Sequence, residues 1–267
     1  MANALPDKAT LIAISALAYV LAVALHEHLG HATACVLLGS HATELGAFFV
    51  NCDDSLLSSA AVRAVAVAGP LVGLLTGIVS LQLLPRLPIS APRAFYFTWL
   101  LGTLGLMNAA GYALFSGVAG IGDLGTGADG ALHGVQPEWL WRSALVLVGA
   151  ASYWLVVRIS ARLIAPRLEG SGAARVRKGS RIALISYLTG AAVYLAIGLL
   201  NPYGVLIVIE SALASSLGGT SGLLWMMNRL GRSPAGIGPE LSFSRSAGWI
   251  VTAFAFTLAY AIVLGPR

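Results

Sequence analysis

The sequence predicts an all-α fold, a polytopic bundle of about seven transmembrane helices. Of its 267 residues, 57% are hydrophobic and only 10% are charged, and the mean hydropathy is +0.82. Soluble domains carry about 25% charged residues, so an integral membrane protein is expected. Spanning the bilayer as a helix takes about 20 apolar residues. Suitable runs lie at approximately 10–38, 58–84, 93–118, 138–165, 181–200, 203–228 and 246–264.

Charge is distributed unequally between the connections. The connections 39–57 and 117–137 contain no Lys or Arg, whereas basic residues crowd 158–181 and 229–245. Basic connections tend to stay in the cytoplasm, which predicts a cytoplasmic N-terminus and an exterior C-terminus. The net charge of +5 therefore follows the membrane topology and does not indicate nucleic-acid binding. The lipid bilayer is the expected surrounding, and the short basic connections fit a bacterial inner membrane.

The connection after the first span is expected to form a short strand or β-hairpin. Residues 41–50 read HATELGAFFV, a stretch too short and too interrupted by glycine for a helix. The two cysteines, Cys35 and Cys52, are too few for a disulfide framework. Cys35 is therefore interpreted as a packing residue, and Cys52 is left unassigned.

The second and third spans contain breaks of their own. Gly69 and Pro70 predict a kink in the second span, because proline removes one backbone hydrogen bond. Both residues are also candidates for supporting the site or contacting its substrate. The third span passes Asn108 and ends in a Gly-rich stretch that leads to Asp123. Glycine allows the backbone to approach another group closely, so this end is a candidate for a binding site.

The first span carries the most informative motif, HEHLGH at residues 26–31. Ionisable groups at membrane depth are costly, and they are found where they line a cavity or bind something. Three imidazoles and a carboxylate within six residues exceed what helix adhesion requires. The motif therefore predicts a metal site inside the membrane, with a packing cluster as the weaker interpretation.

The spacing of the motif differs from HExxH, in which two histidines four residues apart share one helix face. Here His26 and His31 are five apart, so an ideal helix would separate them by about 140°. A single π-bulge would bring them to one face. Alternatively His28 and His31, or Glu27 and His31, are the ligand pair. The π-bulge is preferred, since it keeps a glutamate directly after the leading histidine and Gly30 would tolerate it.

A catalytic zinc keeps three protein ligands and one open position. Asp123 is the preferred third ligand, with Asp129 and His133 as weaker alternatives. One Zn²⁺ per chain would lower the pKa of a bound water, and Glu27 would accept its proton. His28 is expected to support the site or to line its cavity.

Three sequence elements together resemble the site-2 protease family of intramembrane zinc metalloproteases. They are HEHLGHATACVLLGS from residue 26, VAGPLVGLL at 67–75, and the Gly-rich stretch before Asp123. The resemblance covers about residues 10–130. It implies a three-span metalloprotease-like core at 1–137 and four accessory spans at 138–267.

The resemblance also implies roles for individual residues. His26, His31 and Asp123 would be zinc ligands, and Glu27 the catalytic base. Asn108 resembles the family's asparagine that precedes the Asp motif, which helps to hold the substrate strand. The expected activity is hydrolysis of a peptide bond in or near a transmembrane segment, so the partner would be a transmembrane or membrane-proximal protein substrate.

Two other functions compete with the peptidase hypothesis. A divalent-cation or proton transporter would use the histidine cluster together with Glu210, a carboxylate in the middle of the sixth predicted span. A non-catalytic relative would bind membrane segments without cutting them, and the five-residue histidine spacing favours that alternative.

Overall fold

The computed structural model describes residues 5–202, 218–232 and 240–266. Helices dominate these residues, and one pair of short strands follows the first span. The helices are α1 (Lys8–Ala24), α2 (Thr33–Leu37), α3 (Ser59–Leu83), α4 (Pro92–Ala119), α5 (Glu138–Ile164), α6 (Gly172–Gly198), α7 (Gly222–Met226) and α8 (Ala247–Leu264). The strands are β1 (Ala42–Leu45) and β2 (Val50–Cys52).

Six helical segments in the described ranges are long and apolar enough to cross a membrane. They are Lys8–Leu37, Ser59–Arg86, Pro92–Ala119, Glu138–Arg167, Gly172–Gly198 and Ala247–Leu264. The first joins α1 to α2 through a π-helical turn, Leu25–Ala32. The predicted helical bundle is thus confirmed, and six of its helices have the length and apolar composition expected of membrane spans.

The seventh prediction, a span at 203–228, falls mostly outside the described residues. Its described part, from residue 218 onward, contains the short helix α7 and the start of a 3-10 helix, Met227–Arg232. The division into a core at 1–137 and accessory spans at 138–267 stays a prediction, and so does the orientation of the chain in the membrane.

Glycines bring α3 and α4 into close contact. A Cβ atom on Gly105 would lie 2.6 Å from the carbonyl oxygen of Gly73, and one on Gly77 would lie 2.5 Å from the Leu106 side chain. Small residues at such contacts let transmembrane helices pack backbone against backbone. The contact fixes α3, which faces the HEHLGH motif, beside α4, which leads to Asp123.

Buried hydroxyl groups fix α1 between α4 and α6. The Ser186 hydroxyl lies 2.8 Å from that of Ser15 and 2.5 Å from that of Tyr96. The Tyr194 hydroxyl donates to the backbone carbonyl of Tyr19 at 2.7 Å. Hydrogen bonds between helices hold a membrane bundle together where water is absent, so these contacts set the position of the motif-bearing helix.

The predicted β-hairpin is present, with β1 and β2 paired antiparallel. The interpretation of the cysteines was wrong, because Cys35 and Cys52 form a disulfide with their Cα atoms 5.9 Å apart. The hairpin reverses the chain and returns β2 to the end of α2, a proximity that a count of cysteines does not reveal. The disulfide therefore ties the hairpin to the helix that follows the HEHLGH motif.

The disulfide should determine how many thiols can be alkylated and should contribute to the free energy of unfolding. Without reductant and in denaturant, an alkylating reagent should modify neither cysteine; after reduction it should modify both, as counted by intact-mass spectrometry. Because the bond closes a loop between residues 17 apart, reduction should lower the free energy of unfolding by about 3 kcal/mol. Two reactive thiols in the unreduced protein would contradict the assignment.

Candidate metal centre

The HEHLGH motif forms the π-helical turn Leu25–Ala32 within the first span. This is the preferred solution to the five-residue spacing, and it is confirmed. The His26 and His31 rings meet edge to face, with centroids 4.9 Å apart and Nε2 atoms 3.2 Å apart. Both residues are buried, so two imidazoles meet at one point inside the bundle.

Asp123 reaches the same point from the end of α4. Its Oδ2 lies 3.1 Å from Nε2 of His26 and 3.5 Å from Nε2 of His31. Gly120 ends α4 with φ of +77°, and its carbonyl oxygen accepts from the backbone N–H groups of Thr126 and Gly127. This left-handed turn, which glycine adopts without strain, folds the loop back over the helix and directs Asp123 inward.

The electrostatics favour an ionised Asp123. Burial raises the pKa of its carboxyl group, but hydrogen bonds with His26 and His31 and their positive charge outweigh burial and hold the pKa well below its ordinary value. A carboxylate and two imidazoles therefore face one another across distances of 3.1–3.5 Å.

The three facing atoms have the spacing of a metal site. A tetrahedral zinc with ligand bonds of about 2.0–2.1 Å separates its ligand atoms by about 3.3–3.4 Å. The three separations here are 3.1, 3.2 and 3.5 Å. Two imidazoles and one carboxylate are also a donor set found in catalytic zinc sites, so these residues could hold a metal ion of that kind.

The backbone of α3 orients one of the two imidazoles. The Nδ1–H group of His31 donates to the carbonyl oxygen of Val65 at 2.8 Å. Nε2 of His31 is then the nitrogen that faces His26 and Asp123, and its lone pair would be available to a metal ion once its proton has left. Histidine ligands ordinarily have such a partner on the second nitrogen, because it fixes the tautomer and the ring orientation.

Two glycines allow α3 to lie directly against the motif. A Cβ atom on Gly69 would lie 2.3 Å from Nε2 of His31 and 2.7 Å from Nε2 of His26. One on Gly30 would lie 2.6 Å from the Cα atom of Gly69. Gly69, predicted to belong to the site, thus forms its floor, and the close contact between the two helices requires a glycine at Gly30. Pro70 follows Gly69 as a buried residue inside α3, which continues through it.

Glu27 lies beside the three facing atoms and adjoins a small cavity. Its Oε1 is 3.9 Å from Nε2 of His26, and its side chain is 6% exposed. The cavity has a volume of about 20 Å³, enough for one water molecule. Its walls are Val23, His26, Glu27, Phe48, Asn108, Tyr112 and Tyr194.

Asn108, predicted as a residue near the site, borders the same cavity. Its Oδ1 atom is buried and has no hydrogen-bond partner among the described residues. A buried amide oxygen without a partner is unfavourable by about 1–3 kcal/mol. The atom is therefore available to a water molecule or to the N–H group of a bound peptide.

The sequence interpretation missed three aromatic walls of the cavity: Tyr112, Tyr194 and Phe48. The Tyr112 ring stacks on the His26 ring with centroids 4.8 Å apart and planes 15° apart. Its position one helical turn after Asn108 was the available signal for Tyr112. Tyr194 and Phe48 arrive from distant segments, and no local pattern identifies them.

The remaining candidates lie away from the three facing atoms. The Nε2 atom of His28 lies 3.4 Å from the Tyr260 hydroxyl. Asp129 and His133, the weaker alternatives for the third ligand, are exposed. Glu210 lies outside the described residues, so its predicted role stays untested.

Comparison of the chain with protein-family models, curated proteins and solved structures gives no match.

Proposed function

We propose that this protein is a membrane-embedded zinc metallopeptidase that hydrolyses a peptide bond in or near a transmembrane segment. The observation that carries the proposal is the triangle of His26, His31 and Asp123, whose facing atoms have the spacing of zinc ligands. Glu27, the one-water cavity and the unpartnered Oδ1 of Asn108 support a hydrolytic role for that triangle.

The HEHLGH spacing no longer favours a non-catalytic relative. An ideal α-helix would separate His26 and His31 and leave any metal with too few ligands. In the π-helical turn both Nε2 atoms approach Asp123, as a three-ligand site requires.

Zinc bound at this triangle would supply Lewis acidity and would lower the pKa of a water molecule towards neutrality. Glu27 borders the cavity in which that water fits and is placed to accept its proton. The water oxygen then forms a bond to the peptide carbonyl carbon. As the C–N bond breaks, the proton passes from Glu27 to the leaving nitrogen, so that Glu27 returns to its ionised form.

The substrate is a peptide segment that lies against α4. Asn108 would accept a hydrogen bond from a backbone N–H group of that segment, which would give its buried Oδ1 a partner. Lone polar groups of an unfolded peptide are costly at membrane depth, so such contacts help to hold a stretched substrate. The chain around the site supplies both the hydrolytic groups and a hydrogen-bond acceptor.

The centre is placed towards the exterior side of a bacterial inner membrane in this proposal. The connections 39–57 and 117–137 lack basic residues, which favours their translocation. The disulfide between Cys35 and Cys52 supports the same side, since disulfides persist in oxidising compartments such as the periplasm. The N-terminus would then lie in the cytoplasm.

The first test is the metal content of protein purified in mild detergent. We expect about one zinc per chain in the wild type and loss of zinc in both His31→Ala and Asp123→Ala, because a site keeping only two protein ligands binds weakly. His133→Ala, which removes an exposed histidine, is the control and should keep its zinc. A folded wild-type protein that binds no metal would overturn the peptidase proposal.

The role of Glu27 separates catalysis from metal binding. Glu27→Gln should retain wild-type zinc content, while cleavage of peptide-library substrates, followed by mass spectrometry, should slow by about 10²–10⁴-fold, the usual contribution of a general base. If the variant loses its zinc instead, Glu27 is a ligand and the assignment of roles is wrong.

Gly69, the floor of the site, allows a substitution test with a matched control at Gly73 on the same helix. Gly69→Ala places a methyl group against both imidazoles, so zinc affinity in a competition titration should fall by about 10–100-fold, as when ligand orientation is disturbed. Gly73→Ala, one turn later, is the control, because its added methyl group would lie 3.5 Å from the Gly105 carbonyl oxygen, an ordinary van der Waals contact. Equal affinities in the two variants would show that Gly69 is not the floor of a metal site.

A further inference from the structure

The tip of the β-hairpin lies inside the helical bundle. This tip, residues 46–49, joins β1 to β2. Ala47 is 1% exposed and Phe48 is 6% exposed, whereas Thr43 and Leu45 on the adjoining strand are exposed. Hairpin connections ordinarily lie on the surface and are exposed. This tip is instead apolar and directed into the bundle, so it covers an internal surface.

Phe48 covers the cavity beside the metal centre. Its ring lies 5.2 Å from the ring of Tyr194, and both are cavity walls together with Glu27. With the tip in place the cavity holds one water molecule and has no room for a peptide. Hydrolysis requires a carbonyl group within about 3–3.5 Å of the attacking oxygen, so substrate and tip compete for one space.

The hairpin is attached very differently at its base and at its tip. At the base, the disulfide joins Cys52 of β2 covalently to Cys35 of α2. At the tip, the Tyr260 hydroxyl donates to the carbonyl oxygen of Ala47 at 2.7 Å. Tyr260 belongs to α8, in which it and Ala253 are the buried residues. The base is thus held by a covalent bond and the tip by noncovalent contacts, so the tip is the part of the hairpin that can open without breaking a bond.

We propose that the hairpin tip occupies the substrate cleft of the closed enzyme, with Phe48 in the place of an aromatic or large apolar side chain of the substrate. A substrate segment must displace the tip while the disulfide retains the base of the hairpin. The inference rests on the proposed peptidase function and adds a substrate class and a closed state to it.

The first experiment measures how fast 1,10-phenanthroline removes zinc from the purified protein. Phe48→Ala should accelerate removal by about tenfold or more, and Tyr260→Phe by a smaller factor, because each raises the population of the opened tip. Phe97→Ala is the control: it removes a half-buried aromatic residue that packs against Trp249 near the start of α4, away from Asp123. Wild-type rates for Phe48→Ala, with zinc content intact, would overturn the proposal.

A second experiment measures how readily a reagent enters the cavity, and its readout does not depend on bound metal. Asn108→Cys places a thiol in the cavity wall, and its reaction with a small maleimide is measured with the native disulfide intact. Combining Asn108→Cys with Phe48→Ala should accelerate labelling, whereas combining it with Phe97→Ala should not. If the protein binds no zinc but labelling is accelerated, the peptidase proposal is refuted and the proposal that the tip closes the cavity stands. If zinc is bound but labelling is unchanged, the tip proposal is refuted and the peptidase proposal stands.

Discussion

The π-helical turn at Leu25–Ala32 is the constraint on which the candidate centre depends. A regular α-helix would direct His26 and His31 about 140° apart, and no rearrangement of neighbouring helices could then bring both to Asp123. The turn needs support from outside the ladder of backbone hydrogen bonds. Thr33 donates its hydroxyl to the carbonyl oxygen of His28 at 2.9 Å, and Val65 of α3 accepts from His31.

A succession of close backbone contacts connects this turn to the third ligand. Gly30 meets Gly69, and Gly105 of α4 meets the backbone carbonyl oxygen of residue 73, which lies on the same helix as Gly69 and which an alanine at 73 would keep. The chain then continues along α4 to the left-handed Gly120 and to Asp123. Membrane helices gain little from burial of apolar surface, so small residues that permit close van der Waals packing determine how they associate. The glycines thus position the ligands although they supply no donor atom.

Much of this arrangement could be predicted because the relevant information is local. Six spans follow from hydropathy, and the π-helical turn that gives His26 and His31 a shared face follows from the mismatch between their five-residue spacing and a regular helix. The contribution of Gly30 was only partly foreseen, since the approach of Gly69 cannot be read from the motif alone. The joining of Cys35 to Cys52, and the arrival of Phe48 and Tyr194 at the cavity, depend on how distant segments pack. No periodicity or short motif records such contacts.

The buried hairpin tip also has an energetic consequence. Burial of a phenylalanine side chain stabilises by about 1.5–3 kcal/mol, and a neutral hydrogen bond such as that between Tyr260 and Ala47 by about 0.5–1.5 kcal/mol. With both lost on opening, at a cost of about 2–4.5 kcal/mol, the opened tip would be populated on the order of 0.05–3%. A substrate that fills the cleft with its own apolar side chain regains most of that energy, whereas a polar segment does not. The same contacts that close the cleft would therefore select for apolar segments, which are the segments a membrane contains.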